Sequence, residues 1–151
     1  MSTRMEFYIS GKPKLEKPYH LKGIGLPNVY LLNGVEIEND PDYGELITIT
    51  KLTDLHQAIG LHIVAKRDPL TGAELRFLRK QMRMTQEELA KHLRVSDQTV
   101  ANYEKGKTKG ADLGPTDLAV RVRYMLHAFP EDQYSDLLRG CLEAINHMRA
   151  F

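Results

Sequence analysis

The sequence predicts an α+β protein in which a small β-rich domain, residues 1–70, precedes an all-α domain of five helices, residues 71–151. Three observations lead to this prediction. Short β-prone runs alternate with glycine and proline before residue 51. Apolar residues then recur every three or four positions from Leu52 onward. Beyond residue 70, repeated capping motifs mark the starts of further helices.

The N-terminal region is expected to form four strands and one linking helix. The predicted strands cover residues 19–22, 28–32, 35–38 and 45–50. Asn33-Gly34 is predicted to form a two-residue hairpin turn between the second and third of these strands, because both residues tolerate a positive φ. The apolar spacing from Leu52 to Ile63 predicts a helix at about 52–66, which ends before Asp68-Pro69.

Three short helices are expected after residue 70. Thr71 with Glu74, and Thr85 with Glu88, have the spacing of a capping box, in which the hydroxyl accepts from a backbone N–H and the carboxylate accepts in return. Ser96 is a third N-cap candidate. These starts predict helices at roughly 72–82, 86–93 and 97–104.

Two longer amphipathic helices follow. The fourth is predicted from about Thr116 to Phe129, and we expect its apolar face to pack in the core of the chain. That face comprises Leu118, Val122, Met125, Leu126 and Phe129. The fifth follows Pro130 and is expected to form a dimer interface. Its apolar residues are Leu137, Leu138, Cys141, Leu142, Ile145 and Met148.

Composition excludes several classes of protein. No apolar run approaches the roughly 20 residues of a membrane-spanning helix, so no membrane association is predicted. The single cysteine, Cys141, cannot form an internal disulfide and belongs to no CxxC pair. We therefore expect a cytoplasmic protein, associated with the bacterial nucleoid, that has no metal and no cofactor.

Positive charge is concentrated in one part of the chain. Residues 1–70 carry eight Lys/Arg against nine Asp/Glu, residues 71–110 nine against five, and residues 111–151 four against six. The middle block therefore has a net charge of +4, although the whole chain has only +1. Neutralising phosphates is the part of DNA binding that does not depend on base sequence, so this block is the expected DNA-binding region.

The second and third short helices are separated only by Arg94-Val95-Ser96. This compact connection is typical of a DNA-binding helix-turn-helix, in which the second helix enters the major groove. Ala90 supplies the small residue expected where the two helices cross. The pattern alone also fits an ordinary helical hairpin with a polar, solvated face.

Residues 75–106 closely resemble the phage-repressor-like (Xre/Cro) helix-turn-helix family. The resemblance rests on the arginine-rich first helix and on the runs TQEELA, VSxxTV and YExG. It implies sequence-specific binding to a double-stranded DNA operator, usually as a two-fold dimer. Arg94 stands where the family usually has glycine, and Ala101 replaces a usual serine.

The resemblance implies roles for named residues. Gln98 and Asn102 are the leading base-contacting candidates, with Thr99 and Asp97 beside them. For Asp97, capping and helix-dipole stabilisation are favoured over contact with cytosine. The expected phosphate contacts are Thr85, Gln86, Arg94, Lys105, Lys107 and Lys109. Arg76, Arg79 and Lys80 fit either phosphate contact or a solvated helix face, and Glu104 is expected to pair with an early arginine such as Arg79.

The N-terminal region is similar to the zinc-finger/helix-turn-helix family that includes antitoxins of toxin–antitoxin systems. The residues that carry this similarity are Leu26-Pro27-Asn28-Val29, the helix from Leu52 to Ile63 and the run LTGAELRFLRK. In that family a CxxC pair follows the LPNV-like strand, whereas Gly34 and Ile37 stand there in this chain. The similarity implies a toxin protein as partner of the N-terminal domain, with the structural zinc lost.

The residues do not predict an enzyme. The six histidines form no metal-ligand spacing, and Cys141 has no paired base. We expect a DNA-binding transcriptional regulator, an autoregulatory repressor of antitoxin type that forms a homodimer. Two alternatives stay open at this point: a stand-alone regulator that responds to a ligand, and an adaptor whose helix-turn-helix no longer binds DNA.

Overall fold

The computed structural model describes residues 4–106, 113–136 and 138–140. Within these ranges, five strands precede the α-helices, so the prediction of an α+β protein is confirmed. The strands are β1 (Met5–Phe7), β2 (Tyr19–His20), β3 (Val29–Leu31), β4 (Val35–Asp40) and β5 (Gly44–Ile49). The helices are α1 (Leu52–Ala65), α2 (Gly72–Gln81), α3 (Gln86–Leu93), α4 (Asp97–Glu104) and α5 (Pro115–Ala128), followed by a 3₁₀ turn at Glu131–Gln133 and by helical residues at 134–136 and 138–140.

The strands form two separate sheets. Strand β3 lies at the centre of the first sheet, parallel to β1 and antiparallel to β2. Strands β4 and β5 form an antiparallel hairpin, with Val35 opposite Ile49 and Asp40 opposite Gly44. Sequence patterning did not predict β1, because it is only three residues long and its partner β3 lies more than twenty residues further along the chain.

The predicted hairpin turn at Asn33-Gly34 is wrong, because β3 and β4 belong to different sheets. The buried Asn33 side chain accepts a hydrogen bond of 2.6 Å from the Ile9 N–H and donates to the carbonyls of Ile9 and Lys12. Asn33 therefore stabilises the loop after β1. The true turn is at residues 40–44, where Asp40 Oδ1 accepts from the backbone N–H groups of Asp42 and Tyr43.

The helix predictions from local signals are confirmed to within about one residue at each end. Helix α1 occupies the predicted linking position, and α2, α3 and α4 begin after Thr71, Thr85 and Ser96. Both capping boxes are formed, and Ser96 accepts from the Thr99 N–H. These starts depend on hydrogen bonds within four residues, so local sequence is sufficient to define them.

One apolar core extends from the first sheet to α5. Its fully buried members include Val29 in β3, Ile59 and Ile63 in α1, Leu78 in α2 and Val120 in α5. Helix α1 is the central element, since it contacts β1, α2 and α5.

The predicted burial of the apolar face of the fourth helix is wrong. Leu118, Val122 and Leu126 are 67%, 47% and 39% exposed, whereas Val120 and Tyr124 face the core. Two contacts hold α5 in this orientation. Gly60 of α1 leaves room for the Tyr124 ring, since a Cβ at residue 60 would lie 2.0 Å from the Tyr124 hydroxyl. The second contact is a set of hydrogen bonds from Asp117 and Arg121 of α5 to the connection between α1 and α2.

Asp117 and Arg121 hold the connection between α1 and α2. Arg121 pairs with Asp117 at 2.6 Å and donates to the carbonyls of Val64, Lys66 and Asp68. The second oxygen of Asp117 accepts from the Leu70 N–H at 2.7 Å. Because these acceptors are backbone groups some fifty residues away in the chain, apolar periodicity could not indicate which face of α5 turns inward.

Candidate nucleic-acid interface

Helices α3 and α4 are joined by the tight connection that the sequence predicts. Arg94 adopts the left-handed conformation, with φ 58° and ψ 42°, and its N–H bonds back to the Lys91 carbonyl. The Val95 N–H donates to the Ala90 carbonyl at 3.1 Å, which closes the end of α3. Arg94 stands where the family usually has glycine, and it is held at a positive φ that a residue with a Cβ adopts at some cost.

Side-chain caps hold the N-termini of both helices. Thr85 Oγ1 accepts from the Glu88 N–H at 3.1 Å, and Glu88 Oε2 accepts from the Thr85 N–H at 2.8 Å. At α4, Ser96 Oγ accepts from the Thr99 N–H at 3.1 Å and lies 2.8 Å from the Thr99 hydroxyl. Thr85 and Ser96 are exposed, so both helices present their N-terminal ends to solvent. An exposed helix N-terminus favours an anionic group such as a DNA phosphate.

The underside of the unit formed by α2, α3 and α4, residues 71–106, is closely packed. Leu89, Ala90 and Val100 are buried, which confirms Ala90 as the small residue between the two helices. Gly72, the first residue of α2, lies against the end of α4. A Cβ at residue 72 would be 2.4 Å from the Tyr103 carbonyl oxygen and 2.6 Å from that of Glu104. Gly72 was not predicted to have a role. Its place directly after an N-cap, where glycine has no advantage for the helix, could have indicated a close contact.

A buried ion pair connects the first and last helices of the unit. Arg79 Nε lies 2.5 Å from Glu104 Oε1, Nη2 lies 3.2 Å from Oε2, and Nη1 donates to the Met84 carbonyl at 2.8 Å. The predicted pairing of Glu104 with Arg79 is therefore confirmed. Gln86 also donates to Glu104, at 2.8 Å, so the amide of this predicted phosphate contact is occupied within the protein. Its backbone N–H belongs to the exposed start of α3.

The structure places the leading base-contacting candidates side by side. Gln98 is exposed, Asn102 is half-buried, and Gln98 Nε2 donates to Asn102 Oδ1 at 3.1 Å. Thr99 lies between them in sequence and is half-buried, with its hydroxyl beside Ser96. Asp97 Oδ1 accepts from the Gln98 N–H at 2.8 Å, a local contact consistent with stabilisation of the helix start. The two amides thus form one polar pair on the surface of α4.

Exposed cations flank this pair. Arg94 precedes α4, and Lys105 follows it; both side chains are exposed. Lys107 and Lys109, the other two lysines predicted to contact phosphate, lie outside the described residues. No group of His, Cys, Asp and Glu side chains within the described residues could hold a metal ion. This face presents hydrogen-bonding amides, hydroxyls, the Asp97 carboxylate and positive charge.

Comparison with known proteins identifies the domain. A family model described as Helix-turn-helix matches residues 75–109, the segment that contains most of α2, all of α3 and all of α4. The match supports the Xre/Cro-like type of helix-turn-helix and the class of DNA-binding transcriptional regulators. No curated protein and no solved structure matched the chain. Among the described residues, no helix is long and apolar enough to cross a lipid bilayer.

Proposed function

We propose that the chain is a sequence-specific, autoregulatory repressor of antitoxin type, which binds its operator as a homodimer and a toxin protein through its N-terminal region. The observation that carries the DNA-binding part is the Gln98–Asn102 amide pair on the exposed face of α4. A side-chain amide can donate to and accept from adenine in the major groove at the same time. On binding, the bond between the two amides would be exchanged for bonds to base edges.

Contacts to phosphate would orient this helix on the duplex. Thr85 and the start of α3 supply a capped helix N-terminus, and Arg94 and Lys105 supply charge on either side of α4. Thr99 would contact a thymine methyl or a phosphate, and Asp97 would primarily stabilise the start of α4. Gln86 contributes through its backbone, because its side chain holds Glu104.

Titration of the full-length chain with operator and random duplexes tests these roles. The operator would first be selected from fragments that include the gene's own promoter. Gln98→Ala and Asn102→Ala should each lose about 1 to 3 kcal/mol of preference for the operator, with little change on random DNA. Gln133→Ala, an exposed glutamine outside the unit, is the matched control. Equal losses on both duplexes would contradict base contact by Gln98.

Lysine variants separate phosphate contacts from base contacts. Lys105→Ala and Lys107→Ala should weaken binding to all sequences alike and reduce the salt slope by about one unit each, since one phosphate contact is lost. A change in sequence preference without a change in salt slope would count against this assignment.

The exposed stripe of α5 supports the homodimer. Leu118, Val122 and Leu126 recur every four residues on one face and are all substantially exposed. The sequence assigned the dimer interface to the segment after Pro130, most of which lies outside the described residues; α5 supplies a second apolar surface beside it. A dimer would also place two recognition helices on half-sites about 34 Å apart.

Sedimentation measures the oligomeric state directly. The wild-type chain should sediment at twice its 17.2 kDa mass at micromolar concentration. Leu118→Glu with Val122→Glu should shift it towards the monomer, and Gln133→Glu should not. A 17.2 kDa particle both with and without operator would exclude the homodimer.

The hairpin of β4 and β5 supports a protein partner for the N-terminal region. Ile37, Tyr43, Leu46 and Ile47 are 50%, 82%, 43% and 41% exposed, so the hairpin has apolar side chains in contact with water. Residues 35–50 also carry five carboxylates and no Lys or Arg. This charge disfavours contact with DNA and favours a protein that has a basic surface. A two-stranded hairpin of this kind is marginal by itself and gains stability from a covering partner.

Co-expression with the product of an adjacent toxin-like reading frame tests this partner. The full-length chain should co-purify with that product, and Ile37→Ser with Ile47→Ser should lose it while retaining operator binding. Lys17→Ser, at an exposed position away from the hairpin, is the control. Operator binding without any partner at this locus would favour the stand-alone regulator instead.

A further inference from the structure

One cleft between the helices is lined by neither the candidate base-contacting amides of α4 nor the hairpin. It lies between α1, α2 and α5 and has a volume of about 550 Å³. Its walls include His56 and Gln57 from α1, Lys80 from α2, Arg83 from the turn after α2, and His127 from α5.

The cleft is cationic. Lys80 and Arg83 are exposed at its edge, and no Asp or Glu is among the residues that line it. Within the described ranges, neither cation takes part in an ion pair, although five other Lys and Arg side chains do. Two unneutralised positive charges in a concave site raise the local concentration of anions.

Arg83 is held in an uncommon backbone conformation. Its φ is 57°, a region that glycine adopts at lower cost than any residue with a Cβ. An arginine at this position lowers the stability of the fold somewhat, and it supplies a guanidinium group to the edge of the cleft. A guanidinium presents several N–H donors in one plane and binds phosphate oxygens in pairs.

The wall formed by α1 and α5 is held together by contacts within the protein. Gln57 Nε2 donates to the Ala128 carbonyl at 3.1 Å and so ties α1 to the end of α5. The Tyr124 ring fills the space over Gly60, where no Cβ could fit. The cleft therefore requires no rearrangement of its helices before a ligand enters, which lowers the entropic cost of binding.

His56 is a polar group that lacks a partner at this position. Its ring packs edge-on against Phe77, with centroids 6.1 Å apart, and its Nε2 has no hydrogen-bond partner within the described part of the chain. Burial disfavours the charged form of the imidazole and lowers the pKa of His56. A buried polar atom without a partner is uncommon, and a small rotation of this ring would offer Nε2 to a ligand in the cleft.

A second cleft of about 460 Å³ adjoins the first and shares His56 and Lys80 with it. It extends between α2 and the loop at Gly23–Gly25, and it adds Arg76, the apolar side chains of Ile24 and Phe77, and Glu104, whose carboxylate is paired with Arg79. The combined site thus has a cationic end and an end with an aromatic ring. A ligand with phosphate groups at one end and a flat or apolar group at the other would fit it.

We propose that these joined clefts bind a small phosphate-bearing molecule of nucleotide type, with its phosphates between Lys80 and Arg83 and its base towards Phe77. This site is separate from the amides of α4 and does not depend on the DNA-binding or antitoxin role. The phosphate chemistry is also that of a DNA backbone, so the test must distinguish a free ligand from a duplex.

Isothermal titration of the full-length protein with pyrophosphate, ATP and adenosine tests the proposal. ATP and pyrophosphate should bind, and ATP should bind more tightly because it also occupies the second cleft. Lys80→Ala should weaken both by about tenfold, the loss expected for one charge-assisted contact. Lys17→Ala removes a lysine that lines neither cleft and should bind as the wild type does.

A carboxylate placed in the wall gives an independent variant. Thr53 is exposed in the first turn of α1 and lines the cleft, so Thr53→Glu suits the helix N-terminus and should fold normally. It should abolish binding of both phosphates by charge repulsion, whereas Thr53→Gln should retain it.

Three outcomes would overturn the proposal. The first is no binding of either phosphate probe at millimolar concentration. The second is binding that Lys80→Ala and Thr53→Glu leave unchanged, since the ligand would then lie elsewhere. The third is a loss of duplex affinity in Lys80→Ala without any binding of pyrophosphate or ATP, which would assign these cations to the DNA backbone.

Discussion

The helix-turn-helix unit, residues 71–106, and the β4–β5 hairpin, residues 35–50, are stabilised in opposite ways. The unit closes on itself: each of its helices begins at a side-chain cap, and a buried ion pair joins α2 to α4. The hairpin has a regular ladder of six residue pairs, yet of its residues only Val35 is buried. Regular secondary structure is therefore compatible with two quite different degrees of burial.

Under the proposed function, this difference would suit each surface to its partner. A surface that contacts DNA must keep its amides in one geometry before binding, and the caps and ion pair hold α4 in place. A surface that contacts a protein can leave apolar side chains exposed until the partner covers them. We therefore expect mutations in the unit to change the free energy of unfolding more than mutations in the hairpin.

The largest effect is expected at the buried ion pair. Arg79→Ala would leave the Glu104 carboxylate, whose side chain is 5% exposed, without its main partner, and should lower the free energy of unfolding by about 3 to 5 kcal/mol. Urea denaturation measures this loss. Lys91→Ala, in the exposed pair with Glu87, is the control and should change stability by less than about 1 kcal/mol. If both variants were equally stable, the ion pair would not be what joins the helices.

A smaller loss is expected at the cap of α3. Thr85→Ala removes the hydroxyl that accepts from the Glu88 N–H and should cost about 1 kcal/mol of stability. Thr85→Ser keeps the acceptor and should recover most of that loss. If the alanine and serine variants were equally stable, the start of α3 would depend on packing and not on the capping hydroxyl.

Arg94 offers a gain in stability. Arg94→Gly relieves the positive φ of 58° and should raise the free energy of unfolding by about 0.5 to 1 kcal/mol. Lys91→Gly, three residues earlier inside α3, should instead lower it by about 1 kcal/mol. The same thermal or urea measurement distinguishes the two signs, and a loss in Arg94→Gly would contradict the assignment of strain to this residue.

The smallest effect on stability is expected in the hairpin. Ile37→Thr and Ile47→Thr keep a β-branched residue at exposed positions and should each change the free energy of unfolding by no more than about 0.5 kcal/mol. Val29→Thr, the matched change at a fully buried position of β3, should cost about 1 to 3 kcal/mol. Large losses in the two hairpin variants would mean that the hairpin is covered within the folded chain.

The success of sequence-based prediction followed the range of the interactions involved. Helices α2, α3 and α4 were predicted to within about one residue, because their starts depend on side chains that bond to backbone groups three residues away. The Asn33-Gly34 turn was wrong for the converse reason: the Asn33 amide bonds to Ile9 and Lys12, more than twenty residues earlier. A turn-forming residue carries no indication that a distant loop will compete for its side chain.

The candidate site divides in the same way. The placement of Gln98 and Asn102 on one face of α4 follows from their four-residue spacing, and the pairing of Glu104 with Arg79 agrees with the family resemblance. The engagement of Gln86 with Glu104 and the close approach of Gly72 to the end of α4 could not be predicted. Both depend on how α2, α3 and α4 cross each other in space.

By itself, the sequence determined the α+β class, the helices of the DNA-binding unit and the polar face of its recognition helix, since each follows from spacing and capping over a few residues. Only the tertiary structure decided which strands pair, which face of α5 turns inward and where a cationic cleft forms. Those features depend on contacts between residues far apart in the chain, such as Gly60 with Tyr124 and Arg121 with the Lys66 carbonyl. The apolar stripe of α5 indicated a face that packs in the core, and the packing of the other elements turned Val120 and Tyr124 inward instead.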